Sequence, residues 1–450
     1  MKAGKLFFVL TMGLTMAVAM VDLVHARALE FRDYTLDNGL RVILLQTNRA
    51  PLIFSQLWYR VGAVDEVTGK TGLAHMLEHM MFKGTQTLEP GEYSRIIAKN
   101  GGQDNASTSQ DFTNYYAKLA ADRLDLALRL EADRMRGLKL LEKEFRSENA
   151  VVREERRTRT DNSPAARFQE KFQATVFQHH PYGRPVIGAM KDIEGHTLAD
   201  LQAWYDRYYA PNNAILVVVG DFQFEQATQL IDTYFAKLKA NPDLQPAVIA
   251  PEPEQVEQRR ITMAEKGVAV SRWNMAFHTP SLVDSCCKED VFALDVLSSI
   301  LADGGSSRLY RSLVVDKKLV LTVGAGLDGI SRYPGILNFH VTAKPDKSLQ
   351  EIEEEILTQI RHLQEELVGE EELTKVKNGL LADHIFAKDS VDHLAWSVGE
   401  LATVGADWQE MTFHYPERIQ AVTASQVQDV ARRYLDANKA TIATLTPSEK

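Results

Sequence analysis

Cysteine is nearly missing from this chain: its 450 residues hold two, Cys286 and Cys287, side by side. Neighbouring cysteines can close only a strained vicinal ring or stay as thiols, so no disulfide framework holds the fold and burial must do so. The same count excludes a four-cysteine zinc site, and a metal here needs histidine and carboxylate ligands. An excess of basic charge is also missing. The 51 Lys and Arg face 61 Asp and Glu, a net charge of −10, which excludes a broad nucleic-acid-binding surface. With 45% hydrophobic and 25% charged residues, the chain is neither largely disordered, nor collagen-like, nor a polytopic membrane protein. The length fits two to four domains of ~100–200 residues each.

The long apolar run that does occur lies at the start. Lys2 and Lys5 precede an apolar stretch from Leu6 to Val21, and Ala26 and Ala28 follow, the layout of a secretory signal peptide over residues 1–28. Cleavage after Ala28 would start the mature chain at Leu29, exported and periplasmic. The alternative is an uncleaved membrane anchor, for which the run is slightly short of the ~20 residues needed and is closed by Asp22. Beyond this segment no run is long enough to span a bilayer, so the mature chain is expected to be soluble.

Two halves of the remaining chain look alike. YTLDNGLRVILL places a turn at Asp37, Asn38 and Gly39 between two strands, and LIFSQLWYRVGA reads as a third. Helical patterns dominate Gly72–Ala98 and Ala120–Gln178, and AILVVVGDF (Ala214–Phe222) is a long apolar strand. The Pro-rich stretch Asn241–Gln255 has no helical period and reads as a linker. Sliding the chain by 226 residues lays Ile193 on Ile419, Thr197 on Thr423, Tyr208 on Tyr434 and Asn212 on Asn438, so a helix, a turn and a strand recur at the end of each half. The expected division is 29–240, a linker at 241–257, and 258–450. The expected fold class is α+β: two homologous domains, each a mainly antiparallel sheet with helices packed on one side. The acidic run Glu351–Leu373 carries Ile352, Ile356, Ile360 and Leu363 at helical spacing and reads as a solvated helix with one buried stripe.

The strongest chemical signal is His75-Met76-Leu77-Glu78-His79. On a helix, His75 and His79 stand a turn apart on one face and can bind one metal ion, with zinc the best match for neutral imidazoles. Glu78, on the edge of that face, can take a proton from a metal-bound water. The order HxxEH is the inverzincin signature. The surrounding GLAHMLEHMMFKGT is apolar, and two imidazoles and a carboxylate set in it would be costly unless something binds them.

A zinc site needs a third protein ligand. SENAVVREERR is a charge-dense helical run in which Glu148 and Glu155 are seven residues apart and share a face, with Glu154 off it. One of the aligned pair can hold the metal while the other supports a ligand histidine or the substrate. Downstream of the motif, the segment Gly101–Tyr116 reads as a turn and an edge strand able to pair with an extended peptide.

In this order, GLAHMLEHMMFKGT, GGQDNASTSQDFTNYY, ENAVVREERR, HPYGRPVIG and YYAPNNAILVVVGDF resemble the pitrilysin/insulinase family of zinc peptidases. The likeness is greatest to its two-domain bacterial members and to the β subunit of the mitochondrial processing peptidase. The resemblance implies one zinc ion per chain, with His75, His79 and Glu155 as ligands. It makes Glu78 the base and Glu148 a supporting acid. Asn105 and Ala106 on the edge strand become contacts to a peptide substrate. It also implies two homologous halves of around 200 residues, facing each other like the valves of a shell and forming a clam-shell half, the second half without a metal site.

One departure stands out. Active members of the family carry an Arg and, seven residues later, a Tyr in their second half, which bind the peptide and polarise its carbonyl. Here the corresponding positions are Val314 and Leu321, and neither donates a hydrogen bond. Arg308, Tyr310 and Arg311 lie near but out of place. The expectation is therefore a zinc-dependent endopeptidase, or the catalytic subunit of one, completed by a homologous metal-free partner that supplies the Arg and Tyr. A homodimer, or a monomer recruiting Arg308 or Tyr310, is the alternative arrangement. The rival reading is a non-catalytic structural or peptide-binding subunit.

Overall fold

The computed structural model describes residues 29–448; the expected signal segment 1–28 lies outside the described residues. The turn at Gly39, with φ +84°, joins β1 (Glu30–Thr35) to β2 (Arg41–Gln46) as an antiparallel hairpin in which Thr35 faces Arg41. β3 (Leu52–Tyr59), β4 (Gln103–Thr108), β5 (Thr113–Ala120) and β6 (Ala214–Gly220) complete a sheet ordered β1-β2-β6-β3-β5-β4. All its pairs are antiparallel except β2 with β6.

The second sheet repeats this plan. β7 (Arg259–Glu265), β8 (Arg272–Thr279), β9 (Val320–Leu327), β10 (Gly335–Ala343) and β11 (Thr441–Pro447) are ordered β7-β11-β8-β10-β9, with β7 and β11 the one parallel pair. The offset of 226 seen in the sequence recurs in detail. Helix Leu198–Tyr208 and helix Ala424–Tyr434 are both opened by a capping box, Thr197 with Asp200 and Thr423 with Gln426. Residues 241–257, where the linker was read, carry neither helix nor strand.

Alternation along the strands shows what covers each face. Val42, Leu44, Leu57, Leu216 and Val218 point to the half's own helices, among them Leu73, Met76, Leu77 and Met80. Ile43, Leu45, Ile215, Val217 and Val219 point the other way, onto Leu394, Ala395, Val398, Leu401 and Ala402 of helix Val391–Val404 from the second half. This is why β6 reads as a continuous apolar run: it is buried on both faces. The first half returns the exchange. Phe168, Phe172 and Val176 of helix Pro164–Val176 pack on Ala276, Ala443 and Leu445 of the second sheet. Arg332 clamps the seam with two hydrogen bonds to the buried Asp65 carboxylate, at 2.8 and 3.1 Å.

The two homologous α+β domains thus form one unit, with the faces between their sheets filled by packed side chains. The segment Gly101–Tyr116 differs from its reading as one edge strand. It forms the edge strand β4 and the internal strand β5, where Thr113 and Tyr115 are fully buried. Ile352, Ile356, Ile360 and Leu363 form the buried stripe of helix Leu349–Glu365, as their spacing predicts.

The seam is close-packed at Gly399, where an added Cβ would lie 2.2 Å from two ring atoms of Trp58. Overfilling a packed core costs about 1–3 kcal/mol. Gly399→Ala is therefore expected to lower the thermal midpoint measurably, and an unchanged midpoint by calorimetry would show that the seam is loose.

Candidate metal centre

The motif lies on a short helix, Leu73–Met80. Leu73, Ala74, Met76, Leu77 and Met80 are buried in the first half's core, which turns His75, Glu78 and His79 to the opposite side. The helix starts at Gly72, whose φ of +90° and close approach to the Ile187 carbonyl leave no room for a side chain. In place of a local cap, the buried Glu66 carboxyl accepts the N–H groups of Gly72 and Ala74, at 2.7 and 2.8 Å.

Helix Glu142–Arg156 crosses this face. Its far end is tied by Arg156, which bonds both oxygens of Glu170 and one of Asp161. Asn149 bonds the Ile193 carbonyl. Held this way, the helix brings Glu155 Oε2 to 3.3 Å from His79 Nε2 and Glu155 Oε1 to 3.8 Å from His75 Nε2. Glu148 Oε2 lies 3.2 Å from His79 Nδ1, and its other oxygen takes a 2.6 Å ion pair from Lys83. The geometry thus separates the aligned pair that the sequence left open: Glu155 meets both histidines, Glu148 backs one of them. Glu154 turns to Arg157.

The donor set fits zinc. Tetrahedral zinc with ligands at ~2.0–2.2 Å separates them by roughly 3.3–3.6 Å, and the three potential donor atoms here lie within 4.8 Å of one another. The bond from His79 Nδ1 to Glu148 fixes the ring so that Nε2 faces Glu155.

Charge within the cluster is balanced between neighbouring groups. Burial, with His79 close by, pushes the His75 imidazole down to about 4, keeping it neutral. Burial also opposes charge on His79, but hydrogen bonds to Glu148 and Glu155 outweigh it and push that ring up to about 9. Glu155 is held below the usual carboxylate range by the His79 bond first. For Glu148, burial is outweighed by His79 and Lys83, with the same result. Glu78 is shifted up by burial, against the hydrogen bond it accepts from the Thr108 hydroxyl.

An open cavity of about 900 Å³ surrounds these groups, and Asn105 and Ala106 line it together with Ser107 and Thr108 of the edge strand. Sequence reasoning missed Thr108, Lys83 and Arg159, which pairs with Glu155 at 2.6 Å. Arg159 was legible, since it stands four residues beyond Glu155 on a continuing helical path; Lys83 lies past the end of the motif helix.

Val314 packs against the second half's core, and Leu321 is exposed on the edge strand β9. Arg308 is engaged by both oxygens of Glu372. None of these, nor Tyr310, lines the cavity at His75. A second-half counterpart of the motif helix exists in Asp290–Ala302. It follows β8 as the motif helix follows β3, and its polar residues include the buried Ser298 and Ser299 and Asp295. Asp295 there accepts the Tyr415 hydroxyl at 2.5 Å.

Residues 41–190 match the family described as Insulinase (Peptidase family M16), and residues 196–380 match the one described as the Peptidase M16 inactive domain. Over 416 residues, 92% of each chain, the sequence is 34% identical to zinc protease PqqE of Helicobacter pylori. It is 26% identical over 426 residues to the probable mitochondrial-processing peptidase subunit beta of Arabidopsis thaliana, covering 93% of this chain and 78% of that one. The solved structure of a protease from Helicobacter pylori superimposes with a TM-score of 0.87 at 32% identity, covering 93% of this chain and all of that one.

Burial pushes the Glu66 carboxyl up to about 8 in the folded chain, against ~4.3 when unfolded. Its contribution to stability is thus full below ~4.3 and is lost as pH rises through about 8. Denaturant unfolding across this range is expected to show a shallower decline in Glu66→Gln than in the parent chain; parallel curves would remove Glu66 from the account. Glu66→Ala, which strips both N–H groups of their acceptor, is expected to cost about 1–3 kcal/mol.

Proposed function

The chain belongs to the insulinase family, peptidase family M16, and from that premise we propose that it is a metal-bearing, catalytic member: a zinc-dependent endopeptidase, or the catalytic subunit of one. The observation that carries this reading is the convergence of His75 Nε2, His79 Nε2 and Glu155 on one point, with Glu78 beside them in the same cavity. A site in disuse has no physical reason to keep ligands and base together. The match to an inactive domain falls on residues 196–380, outside the residues that form this cluster.

Zinc held by His75, His79 and Glu155 would supply an acidified water molecule and a Lewis acid for the scissile carbonyl oxygen. Glu78 is the proton carrier. Thr108 fixes its Oε2, so Oε1 takes the proton from the attacking water and returns it to the leaving amine. Glu148 orients the His79 ring and, with Lys83, keeps a balanced charge behind it. The free edge of β4, at Asn105 and Ala106, receives an extended peptide or unfolded segment by main-chain pairing.

His75→Ala or Glu155→Ala is expected to abolish both bound zinc and hydrolysis, whereas Glu78→Gln keeps the zinc and loses turnover, because only that change spares the ligands. Metal analysis beside cleavage of a quenched peptide library checks this; zinc retained after loss of either ligand would refute the assignment.

The chain supplies half of the machinery. Val314 and Leu321 offer no donor to the developing oxyanion, and Arg308 is committed to Glu372. Since one such donor is typically worth ~3–4 kcal/mol, the chain alone should be slow by about two or more orders of magnitude. We propose a heterodimer with a homologous, metal-free chain that brings an Arg and a Tyr to this cavity. Export to the periplasm, with removal of residues 1–28, is the compartment supported by Lys2, Lys5, the run Leu6–Val21 and the Ala26 and Ala28 pair. Activity of the purified chain is expected to rise at least ~100-fold with that partner and to fall again when the partner's Arg and Tyr are replaced; full activity alone would overturn the division of labour.

A further inference from the structure

Among the described residues, two groups of side chains place three potential cation ligands within 4.8 Å of one another. One is the site above. The other is Asp284, Cys286 and Cys287, on the turn that leads from β8 into helix Asp290–Ala302, and it contains the chain's two cysteines.

This turn is built around Asp284. Its N–H donates to the Ser281 carbonyl at 3.1 Å, and its own carbonyl accepts from Cys287 and Lys288 at 3.3 and 3.0 Å. Its side-chain Oδ1 accepts the Cys286 N–H at 3.2 Å and lies 3.1 Å from Cys286 Sγ. The two sulfurs are joined as a vicinal disulfide. Cys286 is exposed and Cys287 half-buried, within reach of a small reductant. Leu282 and Val283, just before the turn, are packed in the apolar seam between the halves, which gives the ligand atoms a fixed base.

Two chemical states are open to these atoms. A joined pair of sulfurs has no S–H to give, so the Asp284 oxygen meets Sγ with no proton between them. The separated pair offers an S–H to that oxygen or, deprotonated, two soft ligands beside a hard one. Adjacent thiolates and a carboxylate on one turn can close on a single ion. Soft sulfur ligands select thiophilic d10 cations such as zinc, cadmium or cuprous copper.

We propose that Asp284, Cys286 and Cys287 form a second cation site, gated by redox state and separate from the histidine site. An external dithiol gives two electrons and two protons to the disulfide and is itself oxidised to a disulfide. The cation then displaces the two thiol protons as it binds. Reoxidation by a disulfide-bearing oxidant reverses both steps and releases the cation. The same two sulfurs cannot serve both states, so occupancy reports the redox poise around the protein.

The test uses the full mature chain and cadmium alone as probe, because a cadmium–thiolate bond absorbs in the ultraviolet and imidazole or carboxylate ligands give no such band. After reduction, removal of the reductant and confirmation of two free thiols in a chain carrying His75→Ala and His79→Ala, so that the histidine site does not compete, cadmium titration is expected to raise the thiolate band to a plateau at one equivalent per chain. The oxidised chain should give no band. Cys286→Ser and Cys287→Ser should each prevent the plateau, and Asp284→Asn should weaken cadmium binding at least about tenfold with the band kept. A doubly reduced chain without the band would overturn the proposal. So would a plateau at half an equivalent, which means two chains share the ion, or undiminished affinity in Asp284→Asn.

Discussion

The crossing of two helices, Leu73–Met80 and Glu142–Arg156, is the constraint on which the functional reading depends. Two donor side chains of the candidate site come from one and the third from the other, so an error of an ångström in their relative position would dissolve the cluster. The contact is secured at several points. Glu148 spans His79 and Lys83 on the motif side, Arg156 ties the other helix to Glu170, and Glu66 holds the first turn of the motif helix from outside. Each of these groups would be costly to bury alone, and each is satisfied by a partner that also fixes geometry.

The rest of the fold supplies a rigid base for that crossing. Each half lends a helix to the far face of the other's sheet, so neither sheet is left with an uncovered apolar side. The consequence for function is directional. With the faces between the halves filled, the cavity at His75 is lined from the first half alone. In the second half, helix Asp290–Ala302 carries no histidine, and its Asp295 accepts the Tyr415 hydroxyl. An arrangement with one equipped half and one structural half fits a chain that requires a second molecule to close over its substrate.

Much of this was legible in the sequence because it rests on local periodicity. The hairpin at Asp37–Gly39, the His75 and His79 spacing, the Glu148 and Glu155 face and the 226-residue repeat all follow from chain-neighbour geometry. The exchange of helices was not legible, since nothing local tells Val391–Val404 which sheet it will cover; the apolar run of β6 signalled burial on both faces without naming the cover. Likewise the hydrogen bond from Thr108 to Glu78 and the cap from Glu66 join residues brought together by tertiary packing alone. The single edge strand expected over Gly101–Tyr116 resolved into two, because Ser109–Asp111 turns the chain back and buries Tyr115 in the sheet.

The central claim is that one zinc ion is held where the two helices cross. Anomalous diffraction at the zinc absorption edge, on crystals of the zinc-loaded mature chain grown without reductant, tests it most directly. The account predicts one strong peak within bonding distance of His75 Nε2, His79 Nε2 and a Glu155 carboxylate oxygen, with Glu148 outside that distance. A peak elsewhere, or none at this crossing in a zinc-replete crystal, would contradict it.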